Sequence, residues 1–211
     1  MSSSHYNNQE ILDFTYSSDW IHILETKEHW LLYWKQHDVI QPYMDSDDHI
    51  LEIGVGTGFT TSYLKHKGYD VTTVDIDNNK NPDILINIAK EEIKGNYDVI
   101  LAFEVFEHLP LKSLKSTLEM VSHHCRRFLI ISIPEFYPTF ISFSYRLPIL
   151  KRGSFGIRRP RFLQRPKLSK HHHWEVNSQP EISVSEFRKI FIKLKMNIKQ
   201  HELFLIGTIL F

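Results

Sequence analysis

His49-Ile50-Leu51-Glu52-Ile53-Gly54-Val55-Gly56-Thr57-Gly58-Phe59 is the stretch on which the reading of the chain turns. Its first half, Ile50 to Ile53, is a short apolar run of the kind that lies buried in a parallel sheet. Three glycines follow at alternate positions, and Thr60 to Lys67 then reads as a helix. A strand, a glycine turn and a helix in that order aim backbone N–H groups and a helix N-terminus at a ligand. The glycines allow the sharp turn and the close approach because they carry no Cβ. The spacing is not the Gly-x-Gly-x-x-Gly of a dinucleotide site. Gly58 arrives one residue early, and Phe59 stands where that fingerprint has its third glycine, which disfavours a nicotinamide enzyme. With Glu52 in front, the pattern is Glu-x-Gly-x-Gly-x-Gly.

On the N-terminal side, Met1 to Asn8 reads as a loose polar tail. Ile11 to Met44 is expected to be helical in one or two pieces, with Trp20, Ile23, Leu24, Trp30, Leu31, Trp34, Val39 and Ile40 at near-helical spacing. The simpler expectation is an amphipathic cover for one sheet edge. The other is a lid, with Trp30 or Tyr33 lining it. On the C-terminal side, Asp70 to Asp75 reads as a second strand. Its terminal acid comes about 20 residues after the glycine loop, the place of a ribose-binding carboxylate. Ile84 to Ile86 is a short third strand ending at Asn87-Ile88, and Asp98 to Phe103 is a fourth. Leu111 to His124 is a helix, and Phe128 to Ile133 a fifth strand stopped by Pro134. Ser183 to Lys195 is a helix capped by Ser183 or Ser185, and Ile198 to Phe211 holds two short strands around Gly207. Strands alternating with helices predict an α/β fold, a parallel sheet wrapped on both faces. The expected division is 1–44, an N-terminal tail and covering helices, and 45–211, one domain with an insertion at about 136–170.

Composition narrows the class without naming a partner. The 211 residues are 42% hydrophobic and 24% charged, which suits one ordinary globular domain. Lys+Arg and Asp+Glu are both 25, so net charge points to no polyanion. The single cysteine, Cys125, cannot form an internal disulfide, which fits a reducing, cytoplasmic setting. No apolar run approaches the ~18 residues of a membrane-spanning helix, and the polar N-terminus lacks a signal-peptide plan.

Four pieces carry a resemblance: Leu51 to Gly58, Val74-Asp75-Ile76-Asp77, Asn81-Pro82-Asp83-Ile84, and Tyr97-Asp98-Val99-Ile100-Leu101-Ala102-Phe103-Glu104-Val105-Phe106-Glu107-His108-Leu109-Pro110. In order and at these separations they resemble the class I S-adenosylmethionine-dependent methyltransferases, over roughly Asp48 to Phe211. The resemblance implies a Rossmann-like, doubly wound seven-stranded sheet with its last strand antiparallel. It also implies S-adenosylmethionine contacts at Glu52, Gly54, Gly56, Gly58, Asp75, Ile76, Asn87, Ile88 and Phe103. Asn87 departs from the acid more common in that family, and its side-chain oxygen is expected to accept from the adenine amine.

A sulfonium methyl is already activated, so such a site mainly aligns the acceptor. A base is needed where the acceptor is a weak nucleophile such as a hydroxyl. Glu104, Glu107 and His108 stand at i, i+3 and i+4, which on a helix is one face. Two carboxylates and an imidazole there are also a half-site for a divalent ion. The same Glu-x-x-Glu-His pattern resembles small-RNA 2′-O-methyltransferases and ubiquinone-pathway O-methyltransferases. By that resemblance His172, three residues before Glu175, supplies a fourth ligand. The expected catalytic pair is His108 and His172. The expected metal set is Glu104, Glu107, His108 and His172, for Mg²⁺ or Mn²⁺; many class I members carry Glu-His here with no metal.

The segment Phe136 to Lys170 holds Arg146, Lys151, Arg152, Arg158, Arg159, Arg161, Arg165, Lys167 and Lys170 and no acid, after an aromatic first half. Such a segment suits an anionic acceptor, RNA or a membrane surface; a solvated basic loop is the bland reading. The expected function is O-methylation of a small hydroxylated acceptor, a saccharide or its lipid- or nucleotide-linked form. The alternatives are an RNA methyltransferase and a non-catalytic cofactor-binding partner protein.

Overall fold

The computed structural model describes residues 26–136, 139–145, 153–158, 167–194, 196, 202–203 and 208–210. Its chain divides into two compact units, one of Met1–Leu101 with Met120–Leu129, the other of Ala102–Glu119 with Ile130–Phe211.

In the first unit, α1 (Lys27–Ile40) has no internal Gly or Pro and starts at Thr26, whose side chain accepts from the His29 N–H. It gives way at Pro42, which has no N–H to continue the helical ladder, while Gln41 before it is still in the right-handed helical region. A single helical turn, Gln41–Tyr43, follows. The helix expected from Ile11 is therefore described only from Lys27; Trp20, Ile23 and Leu24 lie outside the described residues. β1 (His49–Ile53), β2 (Asp70–Asp75), β3 (Ile84–Leu85), β4 (Tyr97–Phe103) and β5 (Cys125–Pro134) alternate with α2 (Phe59–His66) and α3 (Leu111–His123). The five strands form a parallel sheet in the order β3-β2-β1-β4-β5, β4 and β5 running on into the second unit. β1 pairs with β2 from His49–Asp70 to Ile53–Val74, and β2 with β3 at Val74–Ile84 and Asp75–Leu85. Ile50, Leu51, Val74, Val99, Ile100 and Leu101 are wholly buried. Burying such a side chain stabilises by roughly 1.5–3 kcal/mol.

The second unit has its own apolar core, including Phe106, Ile131, Ile133, Trp174, Val176 and Phe187. Glu135, one residue past β5, bridges in parallel to Val176. β6 (Thr139–Tyr145) and β7 (Gly153–Arg158) form an antiparallel hairpin where a basic loop was one expectation; β-branched and aromatic residues favour strand there. Arg146, Lys151, Arg152, Arg159, Arg161 and Arg165 lie outside the described residues. α4 (Val184–Lys193) begins at Ser183, whose Oγ accepts from the Glu186 N–H. β8 (Glu202–Leu203) and β9 (Thr208–Leu210) are short and antiparallel, and β9 runs antiparallel to Ser132–Pro134 of β5. Among the described residues no helix is long and apolar enough to cross a membrane.

Candidate functional site

The glycine loop joins β1 to α2 in the first unit. Gly54, Gly56 and Gly58 take φ of 82°, 54° and 74°, in the left-handed region. A Cβ at Gly56 or Gly58 would meet nothing within 4 Å. Backbone conformation, not crowding within the protein, therefore demands glycine there. Gly54 N–H donates to the Val74 carbonyl at 2.8 Å, and Val55 N–H to Asp75 Oδ2 at 2.8 Å. Asp75 Oδ1 accepts from Asp77 N–H at 2.9 Å. The expected ribose acid thus also ties the glycine loop to the end of β2. Ile76 beside it is exposed, and Asn87 and Ile88, just past β3, are buried. Glu52 is buried at the end of β1 and accepts from the Thr61 hydroxyl of α2. Burial pushes its carboxyl up to about 7, against the bond from Thr61, and the charge of Asp75 adds to the rise.

α1 packs on this loop as well as standing before the sheet. Tyr33 stacks on Phe59 with ring centroids 4.8 Å apart, and its hydroxyl lies 3.2 Å from Thr57 Oγ1. Trp30 meets Phe59 edge-on at 5.2 Å. The side chain at the misplaced third-glycine position is therefore an anchor for α1. Nothing in local spacing signalled this contact.

The second unit gathers the catalytic candidates. Glu104, Glu107 and His108 do not share a helical face. Glu104 has φ 55° and lies outside the single helical turn Phe106–His108. Its N–H donates to the Ser132 carbonyl at 3.0 Å, and its Oε1 accepts from the Ser132 hydroxyl at 2.9 Å. That bond draws Glu104 toward β5, so the i, i+3, i+4 expectation holds only for the adjacent pair. Glu107, His108 and His172 do meet: one ligand atom from each lies within 4.8 Å of the other two. Glu104 is not in that group.

His172 is brought there by a tightly held segment. Trp174 is wholly buried, donates from Nε1 to the Leu109 carbonyl at 3.0 Å, and packs near Phe187. His173 N–H donates to the Glu107 carbonyl at 2.9 Å. The rings of His108 and His172 stand edge to face, 5.0 Å between centroids. His172 Nδ1 pairs with Glu175 Oε1 at 2.7 Å, and His108 Nδ1 with the His171 carbonyl at 3.0 Å. An ionised Glu175 and a backbone carbonyl can only accept, so both rings carry hydrogen on Nδ1, which makes Nε2 the lone-pair nitrogen of the neutral tautomer. Burial, reinforced by the neighbouring histidines and opposed by the bond to His171, lowers His108 to about 4. Glu107 is wholly buried, and neither carboxylate oxygen has a hydrogen-bond partner among the described residues. Burial first, then the charges of Glu104 and Glu175, raise its pKa well above the carboxylate range. Glu175 was legible at i+3 from His172; the anchoring Trp174 and Ser132 were not, because each acts through a partner distant in sequence. Phe103, the remaining expected cofactor contact, is half-buried at the end of β4.

Comparison with known proteins agrees with this architecture. A family model described as "Methyltransferase domain" matches residues 27–141, more than half of the chain and including α1. No curated protein matches the sequence. A solved S-adenosylmethionine-dependent methyltransferase from Clostridium acetobutylicum is similar at TM-score 0.58 and 13% identity, covering 91% of this chain and 96% of that one. The glycopeptide N-methyltransferase MtfA, complexed with S-adenosylhomocysteine, is similar at TM-score 0.56 and 10% identity, covering 83% and 86%. A Burkholderia thailandensis 1,6-didemethyltoxoflavin-N1-methyltransferase is similar at 0.51 and 12%, covering 83% and 74%. At these identities the likeness concerns the fold alone. The family match goes further: the chain belongs to the methyltransferase-domain family, and it is a class I S-adenosylmethionine-dependent methyltransferase.

Proposed function

We propose that the protein transfers the methyl group to a hydroxyl oxygen of a small acceptor, a saccharide or its lipid- or nucleotide-linked form. The observation that carries this reading is the Glu107-His108-His172 group with Glu175 behind it. An amine at neutral pH needs little help to attack a sulfonium methyl, whereas a hydroxyl needs a base. An imidazole held by a carboxylate through Nδ1 offers its Nε2 lone pair for that proton. In the step, the acceptor oxygen forms a bond to the methyl carbon while its proton passes to His172. The carbon–sulfur bond breaks, and its electron pair stays on sulfur, giving neutral S-adenosylhomocysteine. Glycine loop, Asp75, Ile76, Asn87 and Ile88 hold the cofactor in this reading, with Glu52 bracing the loop from beneath.

The same group fits a divalent ion. A wholly buried carboxylate without a hydrogen-bond partner is costly unless it meets a proton or a cation. Two imidazoles whose far nitrogens are engaged resemble metal ligands fixed by their outer partners. Glu107, His108 and His172 would hold the ion, and two nitrogens with one oxygen suit Mn²⁺ better than Mg²⁺, which prefers oxygen. When bound, such an ion lowers the pKa of a nearby hydroxyl. The short antiparallel pairs of β9 with β5 and β8 support the seven-stranded reading of the sheet. The basic run from Arg146 to Lys170 supports an anionic acceptor; the cysteine usage supports a cytoplasmic setting.

The test is a screen of acceptor pools with methyl-labelled cofactor. Label in a hydroxylated small molecule is the expected result. His172→Asn should then lower kcat by about 10²- to 10⁴-fold, the usual contribution of a positioned base, with cofactor affinity unchanged. Replacing Arg158, Arg159 and Arg161 with Ala should raise the acceptor KM alone. Label in an amine or in RNA would replace the acceptor. Cofactor binding with no label anywhere would leave a binding partner in place of an enzyme acting on oxygen.

A further inference from the structure

The turn Ser169-Lys170-His171-His172 is tied to the catalytic candidates on every side. His172 N–H donates back to the Ser169 carbonyl at 3.1 Å and closes it. Glu175 fastens both ends, its Oε1 accepting from Ser169 N–H at 3.2 Å and from His172 Nδ1 at 2.7 Å. The middle of the turn reaches the other histidine, since the His171 carbonyl accepts from His108 Nδ1 at 3.0 Å. Just beyond it, His173 N–H donates to the Glu107 carbonyl at 2.9 Å. A side chain rooted on this turn therefore starts from a fixed place beside Glu107, His108 and His172. Lys170 is rooted there, and Lys167 stands three residues before it. Both are exposed, and neither has an ion pair among the described residues. Exposed lysines are common and by themselves mean little. These two differ in where they are rooted and in the charge around them. Glu175, the acid nearest in sequence, is buried and committed to Ser169 and His172. Between Phe136 and Trp174 the chain has nine Lys and Arg residues and no acid. An anion arriving at the turn thus meets ammonium groups and no carboxylate of this segment.

We propose that Lys167 and Lys170 bind a phosphate group of the acceptor and so present a hydroxyl of the same molecule to His172. This rests on the reading that the acceptor is a hydroxylated small molecule with His172 as its base. The ligand is a phosphate ester or a diphosphate, as in a phosphorylated saccharide or a saccharide joined through diphosphate to a lipid or nucleoside. Both forms offer the same oxygens to an ammonium group, which binds phosphate as a compact point charge. Two lysines close together on one turn match one such group; a strand of RNA calls for charges along its path. The lysines touch the acceptor away from the reacting oxygen, so they contribute equally before and during methyl transfer. Such contacts set acceptor affinity and leave the rate of transfer alone.

The experiment begins without a known acceptor. The isotope-labelled full chain is titrated by NMR with inorganic phosphate and, separately, with pyrophosphate, at constant ionic strength against chloride. Saturable shifts confined to the amides from Lys167 to His173 are expected. Tighter binding of phosphate would support a monoester, and tighter binding of pyrophosphate a diphosphate-linked form. Lys167→Ala combined with Lys170→Ala should weaken the tighter anion about 10- to 100-fold, the scale for losing charge-assisted bonds, and Lys170→Arg should retain it. No saturable shift with either anion, or shifts that the double variant leaves intact, would overturn the proposal. The wild-type titrations decide this even if the double variant fails to fold. With a labelled acceptor from the screen in hand, the double variant should raise its KM by a similar factor and hold kcat within about twofold. A fall in kcat with KM unchanged would refute the assigned role. Label in a hydroxylated molecule that carries no phosphate would overturn this inference alone and leave transfer to oxygen standing. Label confined to amines, or to RNA, would overturn that reading and this inference with it.

Discussion

Glu52 and Asp75 show how single carboxyls near the glycine loop divide their work. Glu52 is buried, and its pKa of about 7 lies above the 4.5 of an ordinary glutamate because burial disfavours its charge. Between those two values the unfolded chain has released a proton that the folded chain keeps. Stability from this group is therefore complete below about pH 4.5 and is lost as pH rises through 7. Glu52→Gln should flatten that loss. The melting temperature of the variant minus that of wild type should rise from pH 5 to pH 8, equivalent to about 1–3 kcal/mol; a difference that stays level or falls would refute the assignment. Asp75 accepts from Val55 N–H and Asp77 N–H, so Asp75→Ala unpairs two backbone donors and, on the proposed reading, the ribose. S-adenosylhomocysteine affinity should fall by about 5- to 150-fold; unchanged affinity by calorimetry would remove Asp75 from the site. The place of Asp75 at the end of β2 was readable from its residues, and its role toward a ribose belongs to the proposal. Its bond to the glycine loop was not readable, because that depends on where Val55 N–H points, which no residue pattern encodes.

Elements whose signal is local were legible, and those defined by a distant partner were not. β2 was placed at Asp70 to Asp75 from its residues, and the helix begun by Ser183 from its cap. The spacing of Glu104, Glu107 and His108 puts them on one face only if the stretch is helical, and i, i+3, i+4 spacing occurs in tight turns too. The left-handed Glu104, held by Ser132 on β5, keeps the stretch from being one helix. The segment bearing His172 is likewise fixed from afar, by Trp174. Trp174→Phe keeps most of the buried ring but removes the donor to the Leu109 carbonyl. It should cost about 1 kcal/mol in urea denaturation. Activity should drop more than stability accounts for, because His172 is two residues away. A loss of stability with full kcat would mean the segment does not position the base. Tyr33→Phe tests α1 in the same way. It removes the hydroxyl beside Thr57 and keeps the stack on Phe59, so α1 should stay in place and stability change by under about 1 kcal/mol.

For the molecule as a whole, the cofactor should act as a stabiliser by mass action. At a hundred times its dissociation constant, S-adenosylhomocysteine should add about 2.7 kcal/mol, or roughly 5–10 °C in melting temperature for a chain of this length. No shift would contradict the cofactor assignment. The architecture was legible because strand–helix alternation is written in short-range patterns; the grouping of Glu107, His108 and His172 was anticipated only through family likeness, and its geometry came from tertiary contacts. Glu107 carries a consequence beyond catalysis. A wholly buried carboxyl with no hydrogen-bond partner among the described residues opposes folding. Glu107→Leu should therefore melt at a higher temperature than wild type while turning over no substrate. A library of variants selected for heat resistance alone would drift toward apolar residues at position 107, and one selected for activity would restore the acid: at that one position, durability and usefulness pull the sequence in opposite directions.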